Sequence, residues 1–266
     1  MPEMPLPRAI QYLRLLRILL HLARGLITAA VLFPFASTTL RDTLVRSWSH
    51  KLIRILRVKI QLKGTLPAHA RGVVFVANHI SWLDIWLIDS QRACRFVAKS
   101  EVRAWPLIGW LAEKVGTLFI QRQRRHHTAI LNRQLAAALA AGDCVAMFPE
   151  GTTSDGRQVR RFFGSLLQPA AETGAPLIPV AIRYLKADGG IDLTPAFIDD
   201  MTLIESIMHV VGAREIMADL TFLPAIDTAG KTRREIAHAA QEAIAAALNL
   251  PVLGRQSETE SDPPAA

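Results

Sequence analysis

Val73-Val74-Phe75-Val76-Ala77-Asn78-His79-Ile80-Ser81-Trp82-Leu83-Asp84 is the stretch on which the fold turns. Residues 73–77 are five apolar residues in a row, the length and composition of a buried strand. They end on Asn78-His79, and a helix is expected to follow over 81–90. A histidine where a buried strand gives way to a helix stands at the rim of a sheet, where α/β domains build their sites. The same alternation runs outward from this point. Short apolar runs at 58–62, 95–98, 116–120, 144–148, 177–183 and 216–222 read as strands, and 106–114, 126–141, 165–172 and 233–248 as helices. This pattern predicts an α/β fold, a mixed sheet flanked by helices.

Asp84 lies five residues after His79. On a straight helix that spacing turns the side chains about 140° apart, which is poor for contact. Contact becomes feasible if His79 precedes the helix and Asp84 sits in its first turn. Ser81-x-x-Asp84 has the capping-box spacing and would start the helix at Ser81. The two residues therefore admit two readings, a catalytic pair or a helix cap beside a loop histidine, and on their own they do not decide.

Three further stretches bear on the choice. Phe148-Pro149-Glu150-Gly151-Thr152-Thr153-Ser154 follows an apolar strand and supplies a carboxylate, a glycine and three hydroxyls. Gly116-Thr117-Leu118-Phe119-Ile120-Gln121-Arg122 ends another strand with an arginine, and Pro176-Leu177-Ile178-Pro179-Val180-Ala181-Ile182 forms a fourth. In this order the four stretches resemble the four sequence blocks of the glycerol-3-phosphate and lysophosphatidate acyltransferase family. Asn-His-x-Ser-x-x-Asp and Phe-Pro-Glu-Gly-Thr are the most specific of them, and the resemblance covers roughly residues 60–185.

The resemblance implies a membrane-bound O-acyltransferase. His79 would act as general base on the acceptor hydroxyl, which attacks a thioester carbonyl, and Asp84 would orient the imidazole. Arg122 would pair with the acceptor's phosphate, and Glu150, Gly151 and Thr152 would help to bind the acceptor. Acyl carrier protein or acyl-coenzyme A is the implied donor, with no metal and no bound cofactor. The acceptor implied first is 1-acylglycerol 3-phosphate, giving phosphatidic acid. The alternative is lyso-ornithine lipid or another lysophospholipid, because Phe163 stands where many relatives carry a lysine, although Arg160 and Arg161 are close by. A non-catalytic lipid-binding membrane protein is the rival from another class.

The charge distribution bears on location. Residues 1–63 hold eleven Lys or Arg against two acids, a net +9, whereas the whole chain carries +8, so residues 64–266 sum to −1. A basic quarter interleaved with leucines suits an anionic membrane surface and not nucleic acid. Arg14, Arg17, His21 and Arg24 share one face of a helix. Leu40, Leu44, Trp48, Leu52 and Leu56 form a stripe on a second helix, opposite Arg46, His50, Lys51, Arg54 and Arg57. Between them, residues 25–40 carry no charge and contain Pro34. The expectation is residues 1–57 as membrane-associated helices, their arginines among headgroups and their apolar faces among acyl chains. Residues 58–250 would be the acyltransferase domain and 251–266 a disordered tail. The implied location is the cytoplasmic face of a bacterial inner membrane. Cys94 and Cys144 read as buried structural thiols. Trp105 and Trp110, with Pro-Leu-Ile-Gly between them, fit an interfacial loop or core packing equally well.

Overall fold

In the computed structural model, residues 5–66, 71–120 and 125–252 are described. The chain opens with α1 (Arg8–Val31) and α2 (Thr38–Ile55), followed by β1 (Val58–Gly64), β2 (Val74–Ala77), α3 (Leu83–Gln91) and β3 (Arg95–Lys99). Next come α4 (Ser100–Arg103), α5 (Ile108–Lys114), β4 (Leu118–Ile120), α6 (Arg125–Ala140) and β5 (Val145–Met147). The last elements are α7 (Gln168–Thr173), β6 (Leu177–Leu185), α8 (Leu203–Gly212), β7 (Ile216–Phe222) and α9 (Arg233–Leu248). The strands form one sheet in the order β1-β7-β6-β2-β5-β3-β4. β6, β2, β5, β3 and β4 run parallel, while β7 is antiparallel to β6 and carries β1 parallel to itself, so the sheet is mixed as expected.

Every residue of β2 is buried, as a parallel strand covered on both faces requires. Phe75 and Ala77 face a core completed by Leu52, Ile53 and Leu56 of α2, Leu83 and Leu87 of α3, and Val210 and Val211 of α8. Val74 and Val76 face the opposite core, with Leu131 and Leu135 of α6 and Ile236, Ala240 and Ile244 of α9. Period-2 alternation thus shares one strand between two helical layers.

The two N-terminal helices depart from the expected arrangement. The C-terminal part of the leucine stripe of α2 is turned inward, because Leu52 and Leu56 are core residues and Trp48 packs against that core, whereas Leu40 at its other end is exposed. α1 is inverted relative to a soluble helix. Arg14 and His21 of its basic stripe are buried, while Leu13, Leu16, Leu20, Ile27 and Val31 are exposed. Arg14 is turned inward. Its guanidinium donates to the carbonyls of Val211 (3.0 Å), Ala213 and Arg214 (3.3 Å), where the end of α8 leaves acceptors that a cation satisfies well. His21 stacks on Trp48 at 4.5 Å, and each exchanges a ring hydrogen bond with the other's backbone. The uncharged stretch expected as a bend mostly continues α1, and the turn is confined to a short 3-10 segment at Phe33–Phe35. Residues 8–35 are long and apolar enough to cross a membrane. At the other end, Val159 pairs with Val252, and the rest of the expected tail lies outside the described residues.

Candidate active site

β2 and β5 are parallel neighbours, so the residues that follow them emerge together at one edge of the sheet. Asn78 fixes the first of these exits. Its side-chain amide donates to the carbonyl of Ile182 on β6 (2.9 Å) and accepts from the N–H of the same residue (2.8 Å). A side chain here imitates backbone and prolongs the ladder past the end of β2, leaving the next residue, His79, firmly held.

The His79 imidazole is half-buried. It stacks on Phe148, the first residue beyond β5, with ring centroids 3.9 Å apart and planes within 11°. Nδ1 lies 2.8 Å from Asp84 Oδ2. The backbone N–H of His79 donates to Glu150 Oε1 (3.1 Å), and its carbonyl accepts from the N–H (2.8 Å) and hydroxyl (3.2 Å) of Ser154. Among the described residues, Nε2 has no hydrogen-bond partner.

Asp84 is fully buried and accepts from four donors. Oδ2 takes the N–H groups of Ile80 (2.7 Å) and Ser81 (2.9 Å) besides His79, and Oδ1 takes the Tyr184 hydroxyl (2.7 Å). The spacing of five works because the helix begins later than expected. α3 starts at Leu83, not Ser81, and Ile80–Trp82 form a turn closed by Asp84 N–H donating to the Ser81 carbonyl (3.1 Å). The expected capping box is half made. Asp84 accepts the Ser81 N–H, but the Ser81 hydroxyl accepts from Leu83 N–H. The cap and the histidine pair are therefore one structure, since the oxygen that closes the turn also holds the ring.

Tyr184, near the end of β6, was not singled out by sequence. Burial first, and then the neighbouring Asp84 charge, push its phenol well above the usual tyrosine range, so it stays a donor. Tyr184→Phe should preserve ring packing while leaving Oδ1 without this donor. A loss of about 1–2 kcal/mol in thermal unfolding is expected. With it should come a several-fold fall in kcat at unchanged KM, since acceptor contacts are untouched; an altered KM alone would contradict a positioning role.

Glu150 is buried, and its second carboxylate oxygen has no partner among the described residues. Burial raises its pKa to about 8, against the opposing pull of the His79 and Arg160 N–H groups and the Arg160 charge. Gly151 follows at φ +72°, a left-handed turn position that suits glycine, and Thr152 is exposed beyond it. Arg160 and Arg161 are exposed, as is Phe163, whose N–H donates to the carbonyl of Pro149 (3.0 Å). The structure thus brings His79, Asp84, Glu150 and Gly151 together at one sheet edge. Arg122, two residues beyond the end of β4, lies outside the described residues. An imidazole held at Nδ1 by a buried carboxylate offers Nε2 to a proton, the arrangement of a general base.

An acyltransferase family model matches residues 57–183, which span these elements. The chain is 39% identical to a lyso-ornithine lipid O-acyltransferase of Pseudomonas aeruginosa over 79% of its own length and 80% of the relative's. It is 30% identical to a 1-acyl-sn-glycerol-3-phosphate acyltransferase of Neisseria meningitidis over 71% and 74% of the two chains. The crystal structure of the 1-acyl-sn-glycerophosphate acyltransferase PlsC from Thermotoga maritima superposes with a TM-score of 0.62 at 22% identity, over 89% of this chain and 96% of that one. That likeness establishes the same fold.

Proposed function

Because this chain belongs to the acyltransferase family and acylates acceptors of the lysolipid type, we propose that His79 and Asp84 are its general-base pair and lyso-ornithine lipid its acceptor. The observation that carries the chemistry is the imidazole fixed at Nδ1 by Asp84, with Nε2 unpartnered among the described residues. His79 takes the proton of the acceptor hydroxyl as its oxygen attacks the thioester carbonyl of acyl carrier protein or coenzyme A. The tetrahedral intermediate then expels the thiolate, which takes the proton back from the imidazolium. The products are an ester and a free thiol, and no acyl-enzyme forms. Asp84 stabilises the imidazolium in between.

The acceptor is inferred from two facts: the 39% identity to a lyso-ornithine lipid enzyme, and an exposed Phe163 where a phosphate-binding enzyme gains from a lysine. Lyso-ornithine lipid presents a carboxylate and an ammonium where lysophosphatidate presents a phosphate monoester, so it needs fewer cations. Transfer to 1-acylglycerol 3-phosphate is the second reading, favoured by the Neisseria relative. Such a reaction belongs at the inner face of the cell membrane, where both co-substrates meet.

Purified full-length protein with a radiolabelled acyl-carrier-protein thioester and a panel of lysolipids tests this. We expect kcat/KM for lyso-ornithine lipid to exceed that for 1-acylglycerol 3-phosphate by about tenfold, which corresponds to roughly 1.4 kcal/mol of differential transition-state binding. The reverse preference would establish the second reading, and transfer to no lysolipid would overturn both.

A further inference from the structure

The tip between α4 and α5 is unexplained by the chemistry of the site. Trp105, Leu107, Ile108 and Trp110 are 40%, 60%, 39% and 40% exposed, so four large apolar side chains within six residues face solvent. Core packing, one of the two options open from sequence, does not hold for this tip. The backbone at its apex is strained. Leu107 has φ +62° and ψ −46°, the centre of a γ-turn closed by Ile108 N–H donating to the Pro106 carbonyl (2.6 Å), a conformation that a leucine adopts only under constraint. The constraint is local and rigid. A side-chain carbon on Gly109 would lie 2.2 Å from the carbonyl oxygen of Arg103, so α5 closes on α4 only because that residue is glycine. Gly109 N–H donates to the Trp105 carbonyl (2.9 Å) and Leu111 N–H to that of Leu107 (2.9 Å). The effect of the conformation is to leave the leucine side chain largely exposed.

Its position supplies a reason. β3 runs parallel to β5 and β2, so its end at Lys99 lies on the same sheet edge as His79, and α4 starts at the next residue. α5 also packs against α1, whose outward face is apolar. Lys99, Arg103 and Lys114 surround the tip and outnumber Glu101 and Glu113. Arg103 pairs with Glu113 (3.1 Å), and Lys114 lies over the Trp110 ring at 5.6 Å. Paired tryptophans, an aliphatic apex and flanking cations match the headgroup zone of an anionic bilayer.

We propose that the Trp105–Trp110 tip inserts into the surface of an anionic phospholipid bilayer at the rim of the active site, a second point of attachment besides α1 that lets acceptor pass from bilayer to His79. Delivery of acceptor rests on the lysolipid reading above; insertion itself does not. The full-length chain carrying Leu107→Cys, labelled with a nitrobenzoxadiazole fluorophore, is mixed with vesicles of phosphatidylethanolamine and phosphatidylglycerol. Asp188→Cys, in an exposed turn, is the control, and native Cys94 and Cys144 are buried. Emission at 107 should rise about threefold or more and stay nearly constant at 188, as expected when only the tip enters a low-polarity interface. No rise at 107, or equal rises at both sites, would overturn insertion. A second arm uses Leu107→Gly, which relieves the strain of the positive φ. Its Tm should rise while transfer to vesicle-embedded lysolipid falls about tenfold. Transfer to a short-chain lysolipid dissolved as monomer should be unchanged. A higher Tm with unchanged vesicle transfer would make the tip merely structural. If the wild type acylates no lysolipid, the functional reading fails while the fluorescence result still decides insertion.

Discussion

His79→Ala should lower kcat by about 10³–10⁴-fold, the upper part of the range for losing a positioned general base, with little change in Tm. The imidazole is half-buried, and its ring makes one stack and one side-chain hydrogen bond. Its backbone, which carries the bonds to Glu150 and Ser154, survives the substitution. Asp84→Asn should be the contrasting case. Four donors converge on this carboxylate, and an amide would place its own N–H against at least one of them. The variant should lose both activity, by about 10³-fold or more as the imidazole loses its orienting anion, and stability, by about 2–4 kcal/mol as buried donors go unpaired. Steady-state kinetics on one lysolipid with parallel melting curves separates the two patterns. Near-normal turnover in His79→Ala would remove the base from the mechanism altogether.

The difference between these variants shows what the sequence could carry. The strand ending on Asn78-His79 was legible because an unbroken apolar run is what two-sided burial demands, and all seven strands lie where apolar runs placed them. α8 was also legible but passed over: Thr202-x-x-Glu205 forms a complete capping box ahead of an apolar run. Tyr184 was not. It lies a hundred residues from Asp84 in sequence, and only the pairing of β2 with β6 brings it near. The inversion of α1 was beyond reach for a similar reason. Periodicity correctly grouped Arg14 and His21 on one face, but which way the face points depends on carbonyls at the end of α8 and on Trp48. Ser81 and Asp84 posed no real choice between a turn and a partner for His79, because one carboxylate oxygen closes the turn and holds the ring. Arg122 keeps its proposed role on the family resemblance alone.

Glu150→Gln should make the protein more stable than the wild type, by a margin that grows with pH. A carboxyl group raised from about 4.5 to about 8 on folding is protonated in the folded chain and ionised in the unfolded chain between those values. Below pH 4.5 both states hold the proton, and the native fold is fully stable with respect to this group. As pH rises toward 8, unfolding releases a proton and the native state loses about 1.4 kcal/mol per pH unit. Glutamine cannot ionise and escapes this loss. The difference in Tm between variant and wild type should therefore be near zero at pH 4.5, widen steadily and level off above pH 8. The amide oxygen can still accept the His79 N–H, so kcat near neutral pH should fall only a few-fold. Glu150→Ala strips that acceptor and should cost about tenfold or more, by loosening the residue that holds the base. A Tm difference that does not vary with pH would mean that Glu150 is already ionised in the native protein. In that event the oxygen that has no partner among the described residues would be the place to look for a cation, and Arg160, whose charge acts on Glu150, the first candidate.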